Sequence, residues 1–222
     1  MLLLRKQFEA SPVFARVAPF VTFLLLTFCQ GQFGVASHYW FYLAKTAVGA
    51  WLIWEMRTLV SEMRWALSWE SLVVGVVVFA AWVGLNDFYP KLGKAGVVWN
   101  PHAQFGDTSA LAWLLVAVRI AGSAIVVPPL EEVFYRSFLY RYIAKKDFQS
   151  IPLGQFAWMP FVATAAIFGL AHYEWLAGIL CGLAYQGLVI RKKRLGDALT
   201  AHAVTNLLLG LWVAWKGAWQ FW

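Results

Sequence analysis

Two cysteines, Cys29 and Cys181, are too few for a disulfide framework or a cysteine-built metal centre, and both sit in apolar sequence as small packing residues. Acidic residues are scarce as well, with 11 Asp and Glu against 18 Lys and Arg, and all charged residues make up only 13% of the 222-residue chain. The paired HExxH of common zinc proteases is missing, as are internal repeats and low-complexity tracts. What fills the chain is apolar: 61% hydrophobic residues, 14 of them Trp, with a mean hydropathy of +0.63. A soluble domain is nearer half apolar, so the composition excludes one and predicts an all-α polytopic transmembrane helical bundle. The net charge of +7 would also suit nucleic acid. The basic residues, however, cluster at the ends of apolar runs, as membrane topology requires, so lipid is the expected partner and nucleic acid is not.

At about 20 apolar residues per crossing, the sequence predicts about seven spans (six to eight) in a single membrane domain over 1–222. They fall near 17–35, 39–60, 70–89, 109–130, 157–172, 175–190 and 198–215. Arg5, Lys6 and Arg16, then Arg57 and Arg64, then Arg141, Lys145 and Lys146, then Arg191 to Arg194 mark alternate loops. The rule that cytoplasmic loops are basic puts the N-terminus in the cytoplasm. The first apolar run is too long for a signal-peptide core and is expected to stay attached as the first span. The stretch 90–108 is expected to cap the outer face with Asn100 and His102 in water, and Trp215, Trp219 and Trp222 to form an interfacial belt. Lys45 and Arg119, seven to ten residues from span ends, are expected to snorkel.

One stretch does not suit lipid. Glu131, Glu132 and Arg136 lie within six residues, and each charge in hydrocarbon costs at least about 2.5 kcal/mol. Glu132 and Arg136 are i and i+4 with the acid first, the better order for an intrahelical pair, which leaves Glu131 free. Pro128 and Pro129 just before it are expected to bend the helix and free carbonyls near Ala124 and Ile125. If the helix runs on to Lys145, Glu131 lies about 20 Å from that end, and the return climb of the next span brings His172 to a similar depth. Asp197 is expected to N-cap the last helix, whose His202 and Asn206 share one face. Glu174, in the turn after His172, is a candidate supporting group.

These groups suit one chemistry. A carboxylate in a low-dielectric site beside a neutral imidazole can hold and deprotonate water, and His202 with Asn206 could donate to an oxyanion as that water adds to a peptide carbonyl. Glu131, His172 and His202 could instead ligate zinc. A third alternative is a scaffold or immunity-type protein that keeps the polar cluster for helix packing. A working Glu131 is expected to line a water-accessible cavity that opens toward the cytoplasm or laterally to lipid.

Glu131-Glu132-Val-Phe-Tyr-Arg136, Phe168-Gly-Leu-Ala-His172 and His202-Ala-Val-Thr-Asn206, in that order, resemble the EExxxR, FxxxH and HxxxN motifs of the CPBP family. These are the CAAX-protease and bacteriocin-processing membrane proteins that include the Ras-converting CAAX endopeptidase. The resemblance covers a motif-bearing core of about 109–215; the earlier spans are similar in hydropathy alone. It implies an intramembrane endopeptidase acting on a membrane-associated protein or peptide. Glu131 and His172 would activate water, His202 and Asn206 would form the oxyanion pocket, and Glu132, Arg136 and Phe168 would support the site or position substrate. The family is usually described as glutamic-type, which implies no cofactor, with zinc as the alternative. Size and motif placement also resemble the CAAX-protease-related proteins of bacterial exosortase, or PEP-CTERM, systems, implying a bacterial inner membrane location. Most bacteria do not prenylate proteins, so the family label does not identify the substrate.

Overall fold

The computed structural model describes residues 2–92 and 98–222, and all regular structure among them is helical. Residues 93–97, including Lys94 of the expected outer loop, lie outside the described residues. The helices are α1 (Leu2–Ala10), α2 (Pro12–Phe28), α3 (Ser37–Met56), α4 (Trp69–Gly84), the short α5 (Pro101–Phe105), a long α6 (Ala110–Ala144), α7 (Trp158–Leu170), α8 (Trp175–Lys192) and α9 (Gly196–Lys216). Two of them, α6 and α9, are both long and apolar enough to cross a membrane, while α2, α4 and α7 are apolar but shorter. The expected seven spans are thus not confirmed: two helices qualify by length and composition, for two physical reasons. The sequence pattern runs past true helix ends; α2, for instance, stops at Phe28 because Gly31 and Gly34 beyond it take positive φ of 80° and 90°, which other residues avoid. In addition, α3 and α8 carry polar groups such as Lys45 and Gln186 that dilute their apolar character.

Helix α6 is the axis of the fold. It stays helical through Pro128 and Pro129 by widening into π turns at Gly122–Val126 and Val133–Leu139, on either side of the proline and glutamate stretch. Val127 N–H bonds the carbonyl of Gly122, five residues back. In that register the next donor would be Pro128, which has no N–H, so the freed acceptor is Ser123. This is one residue before the pair expected from an α-helical ladder.

Inter-helix contacts gather the basic loops at one end. Glu62 accepts from Arg16 Nη2 at 2.7 Å and Arg141 Nη2 at 3.0 Å, and also from the Ser137 hydroxyl. Glu70 pairs with Lys192 at 3.0 Å, and Ala66 N–H donates to the Gly196 carbonyl at 3.3 Å. Asp197 does not cap its own helix as expected. Its carboxylate instead takes the Ser68 hydroxyl and the Arg194 Nε, each at 2.5 Å, tying α9 to the start of α4.

The opposite end is aromatic. Trp99 packs on Tyr39, Tyr42 and Trp222. His102 does not simply face water but packs edge-on against Trp113 and tilted against Trp219, while Asn100 caps α5. Small residues bring helices close where the core is tightest. A Cβ on Gly75 of α4 would lie 2.7 Å from the Ala201 carbonyl of α9, and one on Gly178 of α8 would lie 2.8 Å from Gly169 Cα of α7. Large apolar side chains such as Trp69, Trp158 and Trp215 point outward, where lipid is the solvent that suits them.

The Glu62 cluster makes acid stability testable. Burial raises this carboxyl, but Arg16 and the Ser137 hydroxyl outweigh it and hold Glu62 below its ordinary value of 4.5. A depressed carboxylate contributes stability above the unfolded pKa and loses it as pH falls through the folded one. Thermal unfolding of Glu62→Gln is expected to be less pH-dependent than the parent below about pH 4.5, and less stable than the parent near neutrality. Equal pH dependence would remove Glu62 from the account.

Candidate functional site

Of the three motif pairs, Glu132 and Arg136 make the local contact that i and i+4 spacing allows within a helix, Phe168 makes one with His172 just past the end of α7, and His202 and Asn206 each reach across to α6 instead. Glu132 Oε2 lies 3.1 Å from Arg136 Nε, with both side chains fully buried. His172 Nδ1 lies 2.7 Å from the Phe168 carbonyl, and the two rings stack at 4.7 Å. A carbonyl only accepts, so Nδ1 carries the proton and Nε2 of the neutral ring holds the free lone pair. Asn206 Nδ2 donates to the Ser123 carbonyl at 2.8 Å, the acceptor that Pro128 leaves without a partner.

Contacts between helices join the pairs into one site. His202, 5% exposed, reaches Glu132 Oε1 with Nδ1 at 2.9 Å and turns Nε2 toward Glu131 Oε2 at 4.0 Å. It therefore sits between the two glutamates. Phe168 is the apolar hub: its ring lies 6.4 Å from His202 edge-on, and the Arg136 guanidinium sits 4.4 Å above it. The three Arg136 nitrogens and Glu132 Oε2 lack well-aligned hydrogen bonds, so the 3.1 Å pair is held by charge and by the surrounding rings. Behind His202, Tyr185 donates to Thr205 Oγ1 at 2.7 Å, and Thr205 in turn reaches the Gly75 carbonyl at 2.9 Å. This chain fixes α9 against α8 and α4.

Glu131, His172, His202, Asn206 and Phe168 all line a single cavity of about 360 Å³, a size that suits a bound ligand. Glu132 and Arg136 do not line it. Glu132 instead contacts His202, which lines the cavity, and Arg136 contacts Glu132. Among the described residues no group of three or more His, Cys, Asp or Glu side chains is placed to hold a metal ion, and the set Glu131, His172 and His202 is thus not a preformed ligand triad.

The far wall was not foreseen. Phe23 and Thr27 of α2, Tyr42 and Lys45 of α3, Trp82 of α4, Arg119 of α6 and Trp222 complete the cavity. Lys45 and Arg119 do not snorkel outward: Lys45 is 6% exposed and donates to Thr27 Oγ1 at 3.1 Å, and the Arg119 guanidinium is flanked by the rings of Tyr42, Trp99 and Trp222. Trp222 is likewise a wall residue rather than part of a belt. The one sequence signal for the two cations was basic residues inside apolar helices with no acid one turn away. The cavity lining extends from the glutamates to Tyr42, Arg119 and Trp222 at the aromatic end. Glu174 joins this wall beside His172, whose ring meets Trp82 edge-on at 5.5 Å.

Residues 108–208 match the family described as type II CAAX prenyl endopeptidase Rce1-like. The matched segment takes in Glu131, Glu132, Arg136, Phe168, His172, His202 and Asn206 and leaves out α1 to α4. No curated protein and no solved structure matches the chain.

Proposed function

We propose, from the match of residues 108–208 to the Rce1-like CAAX endopeptidase family, that the chain is an intramembrane endopeptidase that hydrolyses a peptide bond with water activated by Glu131 and His172. The observation that carries this is the convergence of Glu131, His172, His202 and Asn206 on one cavity. Water held between the Glu131 carboxylate and His172 Nε2 loses a proton to Glu131 as its oxygen bonds to the carbonyl carbon. The resulting oxyanion takes hydrogen bonds from His202 Nε2–H and from the Asn206 N–H not used by Ser123. The same proton then passes to the amine as the C–N bond breaks. Glu132 holds His202 by Nδ1, which turns Nε2 to the cavity, where it donates when the ring carries a proton on both nitrogens.

The protein acts in this reading as a multi-pass protein of a bacterial inner membrane. The wall toward the aromatic end supports a membrane-associated peptide entering from that side or from lipid. The role of Glu131 as base supplies the nucleophile without a cofactor. Elemental analysis of purified protein is expected to find far less than one zinc per chain; about one zinc, lost in His172→Ala, would replace this mechanism with a metal-based one. Membrane proteomes from cells with and without the protein test the activity itself. A peptide terminus that disappears both without the protein and in His172→Ala supports hydrolysis. Identical termini would leave the scaffold reading.

A further inference from the structure

Lys45 and Arg119 are the unexplained feature of the cavity. Both line it, and both approach the Tyr42 ring, at 4.7 and 4.8 Å. Neither has a carboxylate partner among the described residues, and residues 93–97, Gly-Lys-Ala-Gly-Val, contain no acid. Thr27 Oγ1, already donating to the Phe23 carbonyl, satisfies one Lys45 N–H and leaves the others without a protein acceptor. Arg119 has aromatic neighbours but no hydrogen-bond acceptor among the described residues. Two cations left unpaired at this depth are costly unless an anion joins them.

We infer that Lys45 and Arg119 form an anion-binding subsite that takes a carboxylate of the bound peptide. A guanidinium and an ammonium facing one cavity offer charge-assisted donors that match a carboxylate, and the aromatic rings around Arg119 hold its plane. The inference rests on the proposed peptide hydrolysis for its ligand class. It adds a ruler to the site. Arg119 precedes Glu131 by 12 positions on α6, which is about 18 Å along the axis, and an extended peptide covers that distance in roughly five residues. Lys45, held beside Thr27, would meet a carboxylate nearer to the scissile bond. The carboxylate is either the peptide's own C-terminus or an acidic side chain at that spacing, and the two sources are separable.

Binding is measured on Glu131→Gln protein in phosphatidylcholine nanodiscs, so that cleavage does not intervene. The probes are dansyl-labelled apolar Leu-Ala peptides ending in a free carboxylate, the same peptides ending in a carboxamide, and the carboxamide with one internal Asp. A carboxylate probe is expected to bind roughly ten- to hundredfold more tightly than its neutral counterpart. The free-terminus and internal-Asp peptides show which source the site takes. The preference should collapse in Lys45→Met and in Arg119→Gln and return in Lys45→Arg, which keeps the charge. Equal binding of all probes to the parent protein, or a preference that survives both neutral variants, overturns the subsite. Displacement of the probe by short-chain phosphatidylglycerol at lower concentration than by the free-carboxylate peptide would assign the cations to a lipid phosphate and also overturn it. Carboxylate preference without cleavage by protein carrying Glu131 would sink the protease reading alone, and cleavage without that preference would sink the subsite alone.

Discussion

Membranes carrying Glu131→Gln are expected to form product termini roughly 10²- to 10⁴-fold more slowly than membranes carrying the parent protein, with unchanged abundance and thermal stability. The substitution keeps the volume and polarity of the side chain and removes only the ability to take a proton. Glu131 tolerates it structurally because its side chain lines the cavity, Oε2 has no hydrogen-bond partner, and His202 Nε2 stands 4.0 Å away. Loss of activity with an intact fold separates a base from a packing group. Full activity in this variant would mean that another group activates the nucleophile.

Glu132→Ala is expected to do the reverse, lowering stability and activity together. It strands the fully buried Arg136 and takes the Nδ1 acceptor from His202. Removing one member of a buried pair costs about 3–5 kcal/mol, large against the marginal stability of most proteins. The double replacement Glu132→Leu with Arg136→Met removes both charges and is expected to recover most of the thermal stability, since well-packed apolar residues often match a buried ion pair. It should not recover activity, because His202 remains without the acceptor that orients it. Stability scans and turnover on the same preparations check both halves. Recovered activity in the double variant would reduce Glu132 to a structural role.

The contrast between these two neighbours shows what periodicity reveals. Spacing of i and i+4 is a property of one helix, so Glu132 with Arg136, Phe168 with His172, and the shared face of His202 and Asn206 were all legible in the sequence. The choice of partner across helices was not. That His202 takes Glu132 by one nitrogen and faces Glu131 with the other follows from how closely α9 approaches α6, where Gly210 meets Ile120, and α4, where Gly75 meets Ala201. The link from Asn206 to Ser123 depends on a π turn that shifts the carbonyl freed by Pro128 by one residue. Lys45 and Arg119 were misplaced because distance from a span end shows how far a side chain can reach, and says nothing about the cavity beside it. For the same reason the hydropathy of α2, α3 and α4 marked them as apolar without revealing that they wall the site.

The central claim is that Glu131 directs water to a peptide bond within the membrane. Membranes from cells bearing the parent protein or Glu131→Gln at matched abundance can be incubated in water enriched in ¹⁸O and their peptide termini compared by mass spectrometry. The account predicts a new C-terminal carboxyl carrying one ¹⁸O atom with the parent protein and none above background with Glu131→Gln. Identical termini in the two membranes, or new termini without ¹⁸O, would contradict it.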